Sequence, residues 1–184
     1  FNFIQWPLPA RLEGSGPNAP SNFYECWWGF GGLPAWNTRN PETREYLMKA
    51  AEHWTRAGID GWRLDAANEV EHDFWVEFRR RVRQINPEAW ITGEIWEIAL
   101  EWLGGDQFDA VTNYPLRGAI LDFFVEEKID AEALADRIAE LTVAVPPQVL
   151  AVQYNHLSSH DVPRLLSIAR GDAAKALQAA TFQF

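Results

Sequence analysis

The sequence is poor in several residue classes, and each shortage excludes something. There is one cysteine, Cys26, which rules out an internal disulfide and a thiolate metal cluster. No apolar run approaches the roughly 20 residues that cross a bilayer as a helix, and no signal peptide is visible. Basic residues are scarce, 16 Lys and Arg against 26 Asp and Glu, for a net charge of −10. The acids are scattered rather than blocked, which argues against nucleic acid and against anionic membrane as partners. Apolar residues are plentiful, 47% of 184, enough for one domain with a substantial core. Ten tryptophans supply core volume and also surfaces on which apolar ligand faces stack. The chain begins at Phe1 and stops within the apolar phrase "ALQAATFQF", so an excerpt of a longer protein is expected.

Residues 1–40 are rich in Pro, Gly and Asn without a clear period, and "ARLEGSGPNAPSN" (Ala10 to Asn22) is a loop by composition. From Asn40 the texture changes. Asn40 is a natural N-cap with Pro41 at the first helical position, and Leu47, Ala50, Ala51 and Trp54 recur at helical spacing. Gly58 ends that helix, and "IDGWRLD" reads as a short strand. A helix follows with Trp75, Phe78, Val82 and Ile85 on one face, stopped at Asn86-Pro87. "AWITGE" (Ala89 to Glu94), "QFDAVTN" (Gln107 to Asn113) and "QVLAVQYN" (Gln148 to Asn155) read as further strands. Between them come a short helix over 98–103, a helix over 116–126 and one from an Asp130 cap through Leu134, Ile138 and Leu141. Residues 162–182 read as helix, interrupted near Gly171. Alternating helices and strands with short turns mean parallel strands covered by helices. An open doubly wound sheet and a closed (β/α)8 barrel both fit.

The strand ends are unusual. Side chains alternate across a strand, so Arg63 and Asp65 share one face and Trp62 and Leu64 the other. A guanidinium buried beside a strand is costly unless paired, and its partner is Asp65 or another carboxylate on the same rim; pairing favours the charged carboxylate, as a nucleophile requires. Glu94 occupies the matching end of the next strand, and the strand ending at Asn155 leads into "NHLSSHD" with His160 and Asp161. In barrel enzymes the carboxyl ends of the strands carry the chemistry. Two carboxyls on adjacent strands, which lie about 4.8 Å apart, meet the roughly 5 Å separation of retaining glycosidases. Each acid also has a plainer reading: Asp65 and Asp161 as helix caps, Glu94 as an ordinary ion-pair partner.

"GWRLDAANEV" (Gly61 to Val70), "GEIW" (Gly93 to Trp96) and "NHLSSHD" (Asn155 to Asp161) together resemble, in order and spacing, the signatures of the α-amylase family of glycoside hydrolases. "YECWWGFGGLPAWNT" (Tyr24 to Thr38) and "FDAVTNYPL" look like the neopullulanase, cyclomaltodextrinase and maltogenic amylase branch. The resemblance implies a partial (β/α)8 TIM barrel in the α/β class, about strands four to seven with their helices. Residues 41–184 would form it, and residues 1–40 would be the tail of an inserted loop-rich domain and its return segment. Strands one to three, strand eight and the family's Asn-His signature are expected outside this chain. The resemblance implies Asp65 as nucleophile, Glu94 as general acid/base and Asp161 as transition-state stabiliser. Arg63 and His160 would be the positioning pair, Asn68 and Glu69 would tune acceptor subsites, and Trp96 would line the substrate. It implies retaining hydrolysis of α-1,4 or α-1,6 glucans such as maltooligosaccharides, cyclodextrins or pullulan. It implies no organic cofactor; calcium, common in the family, stays open for the full-length parent. A cytoplasmic bacterial setting and a homodimer through a further N-terminal domain are traits of the branch.

Alternatives stay open. A Mg²⁺-dependent barrel would place acids on consecutive strands, but the third strand ends in Asn113-Tyr114. A barrel relative without catalysis, or an inactive fragment, is a second alternative, although all three acids are present. A mainly transglycosylating enzyme is a third, since water and sugar compete for the same intermediate. His156 stands where a small or apolar residue is expected and is either a packed loop residue or a substrate contact.

Overall fold

A computed structural model describes residues 24–27 and 30–184. The loop read over 10–22, and most of the segment read as an inserted-domain tail, lie outside the described residues. The chain divides into two compact units. One takes the described residues up to Trp62 together with Ala66–Trp90, and the other takes Arg63–Asp65 with Ile91–Phe184.

The first unit is built on two helices, α1 (Pro41–Arg56) and α2 (His72–Ile85). The Asn40 side chain accepts from the Thr43 amide at 3.0 Å, with Pro41 beginning the helix, as its sequence signals require. The buried row of α1 is Thr43, Met48, Ala51 and Thr55. This corrects the expected face, since Trp54 is 55% exposed. Thr55 can be buried because its hydroxyl is satisfied locally. The Thr55 hydroxyl donates to Ala51 O at 2.8 Å and accepts from Trp62 Nε1 at 3.1 Å. α2 buries Phe74, Trp75, Phe78 and Val82, and Trp75 Nε1 is held by Ala67 O at 2.8 Å.

Between α1 and α2 lies an ion-pair network. Arg81 reaches Glu45 and Glu77 at 2.7 Å and Glu52 at 3.2 Å; Arg44 reaches Glu77 at 2.7 Å and Asp73 at 2.8 Å. Arg81 is only 20% exposed, so solvent screens these pairs less than surface ones.

Strands β1 (Gly61–Leu64), β2 (Trp90–Gly93) and β3 (Ala110–Val111) form a sheet in the order β1-β2-β3. The ladder advances in parallel, from Trp90 N to Asp60 O at 3.0 Å and then Glu94 N to Leu64 O at 2.8 Å. β2 and β3 pair in parallel, Thr92 opposite Ala110 and Gly93 opposite Val111. Gly61 has no room for a side chain, since a Cβ there would lie 2.3 Å from Trp90 O.

In the second unit α3 (Tyr114–Phe124) and α7 (Ala173–Gln183) contribute to a core that includes Ile120, Leu121, Val125, Leu157, Ala169 and Ala179, and α4 (Ala131–Ala144) packs beside α3. Asn113, Asp130 and Asp172 cap these three helices with their carboxyl or amide oxygens. The expected helix over 98–103 is a 3₁₀ turn, Leu100–Trp102. The helix expected over 162–182 is split into α6 (Leu165–Ile168) and α7. Arg170 and Gly171 both have positive φ at the break.

The strand expected over 148–155 does not form. Pro146 and Pro147 start a single helical turn, α5 (Pro147–Leu150), because proline is pre-set for the first helical position. A short apolar run such as "VLAV" suits either state. What survives is one parallel bridge, Thr112 to Tyr154. The Gln153 side chain accepts from Val111 N at 3.0 Å, where a strand carbonyl would otherwise serve.

Burial pushes the Glu77 carboxyl up, but its bonds to Arg81 and Arg44 outweigh this and hold it below its ordinary 4.5. The unfolded chain therefore takes up the proton first, and this stability is complete above about pH 4.5 and lost as pH falls through the lower folded value. Arg81→Met is expected to lower the unfolding free energy near neutral pH by about 1–2 kcal/mol. It should also flatten the decline on the acid side; urea unfolding between roughly pH 3 and 7 reads both.

Candidate active site

The second unit carries Arg63, Asp65, Glu94, Trp96, His160 and Asp161. Arg63 leaves β1 on the face opposite Leu64, which is buried. The Arg63 side chain is 34% exposed, so it is half-buried rather than buried as the strand pattern suggested. Its guanidinium makes two ion pairs at once. Nη1 donates to Asp65 Oδ1, and Nη2 stands 2.7 Å from Glu94 Oε1. Partial burial pulls the guanidinium down, but the bond to Asp65 and the charges of Glu94, Asp65 and Asp161 outweigh it. The group is held above its ordinary value. One cation thus gathers two acids from two neighbouring strand ends and feels a third.

The two paired acids differ in access. The Asp65 side chain is 78% exposed and that of Glu94 11%. Glu94 follows β2 directly, and its amide extends the ladder by donating to Leu64 O at 2.8 Å. Asp161 lies in the loop after the Thr112–Tyr154 bridge. Its carboxylate lies 3.2 Å from His160 Nε2, and its amide donates to Ser159 Oγ at 3.1 Å.

That loop is tied down by the segment after β3. Asn113 Nδ2 donates to Asn155 Oδ1 at 2.8 Å, and Asn113 N donates to Tyr154 O at 2.9 Å. The Tyr114 hydroxyl and Ser159 Oγ are 3.1 Å apart, and Arg117 Nε donates to Leu157 O at 3.0 Å. Tyr114 also stacks on Trp96 (centroids 4.0 Å, planes 17° apart) and meets His156 edge-on at 4.4 Å. Trp96 is 51% exposed, so one aromatic face is available while the other rests on Tyr114. Sequence reasoning noticed Tyr114 only as a residue that was not an acid. Its place directly after the Asn113 helix cap was the one available signal.

His156 is a packed loop residue. It is 9% exposed, against Tyr114 and, at 5.7 Å, Tyr154. Asn68 and Glu69 belong to the first unit, where both are exposed on the 3₁₀ turn Ala67–Glu69. Among the described residues there is no group of three or more His, Cys, Asp or Glu that could hold a metal ion. No described helix is long and apolar enough to cross a membrane.

The family model described as alpha amylase, catalytic domain, matches residues 16–184. A cyclomaltodextrinase from Bacillus sp is 52% identical over 153 residues, which are 83% of this chain and 27% of that protein. Neopullulanase 2 from Thermoactinomyces vulgaris is 46% identical over 151 residues, 82% of this chain and 26% of its own. Among solved structures, the cyclic alpha-maltosyl-(1-->6)-maltose hydrolase from Arthrobacter globiformis, in complex with maltose, matches with a TM-score of 0.89 at 35% identity. That match covers 98% of this chain and 40% of the other. The chain spans about a quarter of the length of these curated relatives.

Burial pushes the His156 imidazole below its ordinary 6.5; the Tyr154 carbonyl opposes this and the charge of Arg117 adds to it. The unfolded chain therefore binds this proton first, and stability falls as pH drops below about 6.5. His156→Phe is expected to lessen the loss between roughly pH 6.5 and 5, read from urea midpoints across that range. An unchanged pH slope would mean that the His156 imidazole binds its proton equally in the folded and unfolded chain, and would remove the effect of burial.

Proposed function

The chain belongs to the α-amylase catalytic-domain family, and from that premise we propose that it carries the catalytic acids of a retaining glycoside hydrolase acting on α-linked glucans. The reading rests on one observation, the Arg63 fork that holds Asp65 and Glu94 together with Asp161 in electrostatic reach. Two carboxyls gathered at adjacent strand ends suit retention, which needs them about 5 Å apart. The chain would supply barrel strands four to seven, with Tyr154 standing for the last of them. The substrate class, maltooligosaccharides, cyclodextrins or pullulan, is supported by relatives named cyclomaltodextrinase and neopullulanase. A solved relative in complex with maltose supports an α-glucan occupant.

In this reading Asp65, the open acid, attacks the anomeric carbon as the C1–O bond breaks, and Glu94 gives its proton to the departing oxygen. The glycosyl ester on Asp65 is then cleaved by a water whose proton returns to Glu94, so configuration is kept. Arg63 directs Asp65 through its guanidinium fork. Asp161, oriented by His160 and Ser159, faces the positive charge that develops at C1. Trp96, backed by Tyr114, presents a face for sugar stacking.

The test uses the protein expressed from its complete reading frame. Glu94→Gln is expected to lower kcat on maltooligosaccharides by about 10²–10⁴-fold, and Asp65→Asn by at least as much. NMR of the first product should show the α-anomer. Full hydrolysis by the Asp65→Asn variant would remove the nucleophile from this reading, and a β-anomer would remove retention.

A further inference from the structure

The β2–β3 ladder ends one residue before Glu94, where Thr112 N donates to Gly93 O at 3.1 Å. Ile95 comes next. It is 2% exposed, so its backbone groups are shielded from water and need partners. Both go to a single hydroxyl: Ile95 N donates to Thr112 Oγ1 at 3.2 Å, and Thr112 Oγ1 donates to Ile95 O at 2.9 Å. A hydroxyl is one of the few side-chain groups able to do both, and Thr112 is itself 4% exposed. Glu94 therefore stands between two anchors. Its own amide is held by Leu64 O on β1, and the residue after it is held on both sides by Thr112. The direction of its side chain toward Arg63 follows from those two anchors.

We propose that Thr112 is a positioning residue for Glu94, its hydroxyl setting the acid's aim through the Ile95 backbone. This rests on reading Glu94 as the general acid/base. A shift of about 1 Å at a reacting group can cost on the order of 100-fold, so loss of the hydroxyl should weaken protonation of the leaving oxygen more than it weakens sugar binding.

The readout is kcat/KM on two substrates in the protein expressed from its complete reading frame. A maltooligosaccharide needs its leaving oxygen protonated; α-glucosyl fluoride, with a good leaving group, needs this far less. Thr112→Val is expected to lower kcat/KM about 10–100-fold on the oligosaccharide and less than about 3-fold on the fluoride. Thr112→Ser should match the parent on both. Glu94→Gln is the reference. If it shows no such split, the reading of Glu94 fails. If it shows the split and Thr112→Val does not, the present inference fails alone. Thr112→Ala is made in parallel and read the same way should the Val variant not fold. Failure of both to fold, with Thr112→Ser normal, would assign the hydroxyl to the fold instead and overturn the proposal.

Discussion

Two carboxylates held on neighbouring strand ends repel each other and have few reasons to stay close. Arg63 supplies one. A guanidinium offers five N–H donors in a rigid fork and accepts nothing, so it can bind one acid at each tine, where an ammonium would act as a single point charge. Here one tine meets Asp65, on the same strand face two residues on, and the other meets Glu94 on the next strand. The half-exposed setting of Arg63 keeps the desolvation cost moderate, because part of the guanidinium stays in water.

The rest of the site is arranged to leave that three-part contact undisturbed. The third acid arrives from a loop with little regular structure of its own. Its order comes from the segment after β3, through Asn113, Tyr114 and Arg117. Tyr114 links the features, because the same ring supports Trp96, packs on His156 and reaches Ser159 beside the Asp161 amide. A loop held this way needs few buried apolar contacts, which is why serines and an asparagine can dominate it.

The first unit solves a parallel problem without a site. Helices α1 and α2 set acids and arginines between them, and Arg81 and Arg44 each bind more than one carboxylate. Arginine again does what lysine could not, by sharing one charge among several oxygens with defined angles. Thr55, bonded within its own turn and to a tryptophan indole, lets the buried row of α1 include a polar side chain.

Read alone, the chain specified its helices best where a cap and a stop bracket them: Asn40-Pro41 before α1, Asn86-Pro87 after α2, Asp130 before α4. Those are local interactions, complete within a few residues, and they survive in the structure. The ordered signatures around Asp65, Glu94 and Asp161 were legible for the same reason. Three things were settled only by the fold. "QVLAVQYN" shrank to one bridge because a strand exists only when a neighbour in register accepts its bonds, and prolines had already committed its start to a helical turn. The buried row of α1 moved off Trp54 because what faces the core depends on the helix it meets, not on its own period. The joining of Arg63 to Glu94, and of Thr112 to Ile95, depends on register between strands far apart in the chain. No local pattern encodes that register; it emerges when the strands pair.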